Sequence, residues 1–219
     1  MFTGSSPFAD YVDATFLTIV GISAVVLLGL VAAMVYFVIR YSRKRNPQAT
    51  NIEGNVPLEI AWTVIPLVLF MGMFYLGWEG YLKTVEVPDG AVPIQVTAKM
   101  WEWSFEYPNG VKTDTLYVPV NTPVKLTLRS LDVNHSLYIP AFRIKKDVIP
   151  NKENVMWFST PEPKSYDIAC AEYCGLRHAY MYTKVVAMGS PAFELWYKEA
   201  SLKAGRPYEP LRPPADVSN

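Results

Sequence analysis

Two stretches of this 219-residue chain carry no charged side chain, and they limit what it can fold into more than any other feature. The first runs from Ala14 to Ile39 and the second from Ile60 to Trp78, bounded by Glu59 and Glu79. At about 1.5 Å per residue, each run as a helix crosses a hydrocarbon core of about 30 Å. A secretory signal is the alternative for the first run, but the run is too long for a signal's apolar region. Its leading flank is also acidic, with Asp10 and Asp13. A retained membrane helix is therefore expected. Pro66 in the second run is tolerated in membrane helices more readily than in soluble ones. Arg40, Arg43, Lys44 and Arg45 between the runs mark the cytoplasmic side, which puts both termini and everything after the hairpin outside.

Glu59 stands at the cytoplasmic edge of the second run, in Pro57-Leu58-Glu59-Ile60-Ala61-Trp62-Thr63. It reads either as an interfacial anchor beside Trp62 or as a carboxylate that feeds protons into a pathway. Composition alone does not separate the two. Twenty basic residues balance twenty acidic ones, so no global charge points to nucleic acid.

After Glu79 the apolar runs become short and β-branched. Strands are expected at 92–98, 101–107, 112–118, 124–130, 135–139, 154–159, 165–169 and 182–188. Turn signals such as Pro88-Asp89-Gly90 and Pro108-Asn109-Gly110 stand between them. Many short strands without long helices argue a sandwich or barrel. In Trp101-Glu102-Trp103-Ser104-Phe105-Glu106-Tyr107, four aromatics alternate with polar residues, the pattern of a half-buried strand. Residues 191–203 have helical composition, and a Pro-rich extended tail follows from Arg206. The expected divisions are an external segment 1–13, the hairpin 14–84, the outer domain 85–190, and a helix with tail 191–219.

Both cysteines and one of the two histidines fall within twelve residues of one another: Cys170, Cys174 and His178, with Met181 three further on. His135, the other histidine, can arrive from a neighbouring strand. Thiolates, imidazoles and a thioether suit copper better than a hard, oxygen-seeking ion. A single-copper blue site needs only one Cys, so the second argues for a pair of metals bridged by two thiolates. A Cys170–Cys174 disulfide would close too small a loop to stabilise much. Zinc would leave Met181 without a task. Copper is favoured on residue types, with the disulfide and zinc as rivals.

These residues carry a resemblance. Cys170-x-Glu172-x-Cys174-Gly175-x-x-His178-x-x-Met181 is similar to the copper loop of the cytochrome c oxidase subunit II family. The likeness runs from about residue 15 to 190. It includes the hairpin, the 101–107 strand, Asp132-Val133-x-His135-Ser136 and Lys145-x-Asp147-x-Ile149-Pro150. It implies a two-helix transmembrane hairpin plus an all-β cupredoxin-like sandwich domain holding the dinuclear CuA centre. The ligands would be His135, Cys170, Cys174, His178, Met181 and the carbonyl of Glu172. The Glu172 side chain would bind magnesium at the interface with the catalytic subunit. Trp101 would receive the electron from cytochrome c, and His178 would face the haem-bearing subunit. Glu59, in Glu-x-x-Trp-Thr-x-x-Pro, would mark a proton-pathway entrance.

The resemblance implies an electron-receiving subunit of a proton-translocating oxidase in the cell (inner) membrane, partnered by subunits I and III. Oxygen chemistry would lie in the partner, since no spare histidines remain for haem. A CuA subunit of a nitric oxide reductase is the alternative; a copper-free quinol oxidase subunit and a membrane-anchored copper chaperone are more distant rivals. Asn151 stands where the family has Gly, and Asn tolerates the positive φ of such a turn. Tyr182 replaces the usual Pro after Met181. Acidic residues near Trp101 are limited to Glu102, Glu106 and Asp114, which leaves the donor open.

Overall fold

A computed structural model describes residues 5–48, 50–51 and 53–211. The chain divides into two compact units: residues 13–80, and residues 1–12 together with 81–219.

The first unit holds most of two long helices, α1 (Ala9–Arg40) and α2 (Val56–Val85). Both extend past the uncharged runs, because charged residues such as Asp10, Glu79 and Lys83 are compatible with helix once they reach the interface. The apolar side chains in the central window of each helix are all unburied within the protein. A helix apolar on every side and covered by nothing of its own requires an apolar solvent. At its start, α2 is closed by Asn55, whose Oδ1 accepts the Leu58 N–H at 3.2 Å. Glu59 reaches back to accept the Asn55 N–H at 3.3 Å, completing a variant of the capping box.

The second unit is a sandwich of two five-stranded sheets. The strands are β1 (Val92–Lys99), β2 (Glu102–Glu106), β3 (Lys112–Thr113), β4 (Leu116–Pro119) and β5 (Val124–Ser130), then β6 (His135–Ile139), β7 (Ile144–Val148), β8 (Asn154–Phe158), β9 (Ser165–Cys170) and β10 (Tyr182–Met188). One sheet has the order β3-β2-β1-β5-β8 and the other β4-β10-β9-β6-β7. Each contains one parallel pair, β1–β5 and β4–β10. Alternate residues point inward, so Val92, Ile94, Val96 and Ala98 meet Leu116, Val118, Leu137 and Ile168 in one core.

Two strand expectations need correction. The run 112–118 is not one strand: Lys112–Thr113 pairs with β2, while Leu116–Pro119 joins β10 in the opposite sheet. The switch occurs at Asp114–Thr115, where Thr113 Oγ1 donates to the Thr115 carbonyl at 2.7 Å. Strand β7 was not anticipated, because Lys145, Lys146 and Asp147 dilute its apolar alternation. Asn151 takes φ 59°, as the turn after Pro150 requires.

Helix α3 (Ser190–Lys203) closes one end, with Pro191 in its first turn. Its Phe193 and Tyr197 are buried, and Trp196 stacks on Tyr117 at 4.3 Å. The tail from Arg206 is extended but held: Tyr208 Oη donates to Glu194 at 2.6 Å. Residues 212–219 lie outside the described residues. The N-terminal segment also joins this unit, with Phe8 edge-on to Trp157 at 4.8 Å and Ser6 Oγ donating to the Phe142 carbonyl.

Candidate metal centre

The sheet of β9, β10 and β6 builds the site. His135 opens β6, opposite Val148, and Cys170 closes β9, opposite Leu137 of β6. The chain then leaves the sheet, and Ala171 N–H donates to the Ser136 carbonyl at 2.9 Å. It turns at Gly175, φ 111°, and winds one short 3₁₀ turn over His178–Tyr180. The loop is tied at its mouth by Cys170 N–H donating to the Met181 carbonyl at 3.1 Å, after which β10 pairs back along β9. Side chains four or seven residues apart are thereby folded inward over a single point.

The donor atoms converge there. The Cys170 and Cys174 sulfurs are 3.8 Å apart, and both cysteines are free thiols. Cys170 Sγ lies 3.8 Å from His135 Nδ1, and Cys174 Sγ lies 3.5 Å from His178 Nδ1. Met181 Sδ is 3.8 Å from Cys174 Sγ, and the Glu172 carbonyl oxygen is 3.3 Å from Cys170 Sγ. His135, Cys170 and Cys174 hold their ligand atoms within 4.8 Å of one another, and all three are buried. Burial, followed by the neighbouring Cys170, pushes the Cys174 thiol up to about 12. Two buried thiols this close do not ionise together without a cation between them, so metal binding here releases protons.

The six sequence-derived ligands are therefore one cluster. Each imidazole faces a thiol through Nδ1, and each thiol has a further weak donor beside it. A tetrahedral zinc site would use the four Cys and His groups and leave the adjacent thioether and carbonyl surplus. The full set of two thiols, two imidazoles, a thioether and a carbonyl is a soft-donor set of the kind copper would take.

Asp132 braces the cluster in a way that the sequence does not disclose. Its Oδ1 accepts from His135 Nε2 at 2.8 Å, fixing the ring with Nδ1 toward the sulfurs. The same carboxylate accepts the Met100 and Val133 N–H groups, each at 2.6 Å. Burial works to raise this carboxyl, but the Met100, His135 and Val133 hydrogen bonds outweigh it and hold the group below its ordinary value. The Asp-x-x-His spacing was visible, but Met100 is 32 residues away, and that meeting is tertiary.

Trp101 is half-buried, and its Nε1 donates to the Cys174 carbonyl at 3.1 Å. A Cβ on Gly175 would lie 3.5 Å from the Trp101 ring, so the indole rests directly on the loop. Trp103 is buried beneath, its ring 6.2 Å from that of His135. The Glu172 side chain faces solvent while its carbonyl faces Cys170.

Fold and site together define a membrane-anchored redox-metal domain of cupredoxin type. The family model for the transmembrane domain of cytochrome c oxidase subunit II matches residues 1–76, and the model for its periplasmic domain matches residues 110–188. The chain belongs to the cytochrome c oxidase subunit II family. Cytochrome c oxidase subunit 2 of Alkalihalophilus pseudofirmus is 33% identical over 88% of this chain and 60% of the relative. That of Cereibacter sphaeroides is 27% identical over 82% of this chain and 72% of its own. The chain thus spans well under the full length of these relatives. The crystal structure of the periplasmic domain of subunit II of cytochrome oxidase from Bradyrhizobium japonicum superposes with a TM-score of 0.52 and 29% identity. It covers 54% of this chain and 99% of that domain. The chain is accordingly a membrane protein with an extracytoplasmic domain, and its relatives favour the oxidase over the nitric oxide reductase alternative.

Proposed function

We propose that this chain receives single electrons from a cytochrome c and passes them to haem in a catalytic oxidase subunit, where O₂ is reduced to water with proton translocation. The observation that carries the reading is the convergence of six donor groups directly under an indole bonded to the same loop. A copper pair in this cluster supplies a one-electron couple whose charge is shared between two metals. The chain's own residues do the rest. His135 and His178 fix opposite ends of the thiol pair, Asp132 holds His135 in one tautomer, and the closed loop resists geometric change between redox states. Trp101 Nε1 to the Cys174 carbonyl gives a short bonded route from the surface to a ligand. His178, half-buried beside Cys174, is the side from which the electron leaves.

The remaining roles follow from placement. The solvent-facing Glu172 carboxylate is free to take a magnesium ion against subunit I while its carbonyl serves copper. Subunit III completes the complex. Glu59 caps α2 at the cytoplasmic edge, and we read the same carboxylate as the entrance of a proton route. Both termini lie outside, in keeping with residues 5–12 packing on the sandwich. The test is the metal content and electron spin resonance of the purified complex. Two coppers per chain and one electron shared by two copper nuclei are expected, with the shared signal lost in Cys174→Ser. One copper per chain, or zinc alone, would overturn the reading.

A further inference from the structure

The segments next to Trp101 expose several apolar side chains, and three of the carboxylates there are already engaged. Met100, Leu131, Val133 and Leu176 are exposed apolar side chains on the segments that adjoin Trp101. Leu131 N–H donates to the Ala98 carbonyl, and Met100 and Val133 are both held by Asp132. Gly175, next to Leu176, lies under the Trp101 ring and within reach of Met100 Sδ. Leu131 is 59% exposed and Leu176 88%, which is far more than packing within this unit explains.

Three of the acidic groups on the neighbouring segments are matched. Glu102 pairs with Lys99 at 2.9 Å and Glu106 with Lys112 at 3.2 Å. Asp132 is turned inward to His135 and two backbone N–H groups. An open groove of about 1030 Å³ leads away from Trp101, and its charged lining is Glu102 and Asp114 against Lys112 and Lys184. The two acids and two bases of that lining offset one another in formal charge, as do the exposed Glu172 and Arg177 of the loop, which leaves electrostatic steering little net charge to act on.

Resting on the proposed relay, we infer that the electron donor is a redox protein whose electron-exchange edge is ringed by apolar and uncharged side chains, not by lysines. It docks on Met100, Leu131, Val133 and Leu176 by burying apolar surface. One electron passes from donor to this chain: the donor is oxidised by one unit, the metal site is reduced by one, and no bond or proton changes hands. Apolar docking makes the encounter slower at low salt than a steered one but nearly indifferent to salt.

The experiment uses the purified complex with the full chain, mixed rapidly with reduced donors between about 10 and 300 mM NaCl, a range over which exposed charges go from weakly to strongly screened. One probe is a basic c-type cytochrome with lysines round its haem; the other is a near-neutral c-type cytochrome with an apolar haem edge. The second-order rate constant of the wild type with the neutral probe should change less than about 2-fold across this range, and the basic probe should show no low-salt advantage. Leu131→Glu should make the basic probe about 5-fold or more faster at low salt and salt-sensitive, since it plants an unpaired charge beside the indole. Leu131→Ser with Leu176→Ser should slow the neutral probe about 5-fold or more, through KM and not kcat. A wild-type rate with the basic probe that falls about 10-fold or more with salt would overturn the inference. So would an unchanged neutral-probe rate in the double variant, including the case in which that variant instead loses its partner subunits. A small uncharged reductant separates the two levels. If it reduces the metal centre while the protein probes break the pattern, the docking inference fails and the relay stands. If no donor reduces the centre while the complex turns over, the relay itself fails.

Discussion

Phe70 in α2 and Phe105 in β2 are the same side chain in opposite circumstances. Phe70 is 63% exposed within the protein, and Phe105 is 0% exposed, inside the sandwich. The hairpin leaves its apolar surface for lipid to cover, so its side chains gain nothing from one another that lipid would not also give. The sandwich covers its own, and every atom there has protein neighbours. Apolar composition therefore says that a residue leaves water; only periodicity and run length say into which solvent.

Truncation breaks the comparison most sharply. Phe105→Ala should cost the outer domain about 3–5 kcal/mol of stability, read as a lower denaturant midpoint, because the cavity is closed on all sides. Phe70→Ala should shift that midpoint by less than about 0.5 kcal/mol, as expected of a site away from the domain's core. Equal losses at both positions would mean that α2 packs in protein along its length.

A charge tests the same contrast from the other direction. Leu28 in α1 and Leu195 in α3 are similarly exposed, at 68% and 60%. Lys at position 28, near the centre of the first span, should cost about 2.5–3.5 kcal/mol of membrane insertion, read as the fraction of chain integrated. Lys at position 195 faces water and should change stability by less than about 0.5 kcal/mol. Full integration of Leu28→Lys would argue against a lipid-facing α1.

The two units also differ in how much of them could be read in advance. The absence of charge over Ala14–Ile39 and over Ile60–Trp78 is a one-dimensional signal that marks both spans; it does not mark their ends, because Asp10, Glu79 and Lys83 sit at the interface within unbroken helix. In the sandwich, strict alternation at 92–98 and 101–107 declared those strands, whereas charged Lys145, Lys146 and Asp147 hid β7. The break at Asp114–Thr115 was hidden because 112–118 alternates plausibly as one strand. The ligands were legible because residue type alone marks Cys and His. Asp132 was not, because its part depends on Met100 N–H arriving from the turn between β1 and β2.

Asp132 sits between the part of the site that was legible and the part that was not. Asp132→Asn should weaken copper binding about 10- to 100-fold and shift the reduction potential of the loaded site, since it removes the anion that orients His135. Titrating copper into the apo protein and measuring the potential would show it. A variant with unchanged affinity and potential would reduce Asp132 to a brace for the Met100 turn.

The smallest effects are in pH, and they act only on the sandwich. Burial raises the Tyr107 phenol above its ordinary value, its hydroxyl donating to the Tyr117 carbonyl and accepting the Tyr117 N–H, both at 2.8 Å. A raised value means that the folded state prefers the neutral phenol. This contribution is complete below about pH 10, where the unfolded chain titrates, and falls away as pH rises beyond it. Asp147 is the opposite case: the Lys145 ammonium at 2.7 Å and the Ser136 hydroxyl at 2.9 Å hold its carboxyl below the usual carboxylate range. Its contribution is complete above about pH 4 and is lost as pH falls through the folded value. The pair is half-exposed, so the effect is small and screened by salt. Asp147→Asn should therefore lower outer-domain stability slightly at pH 7, with the deficit closing toward pH 3, about a unit below the free carboxyl's ordinary value. Tyr107→Phe should flatten the alkaline limb. Chemical unfolding across the pH range reads both, and a deficit in Asp147→Asn that persists unchanged in acid would assign its cost to the hydrogen bond with Ser136 and not to charge.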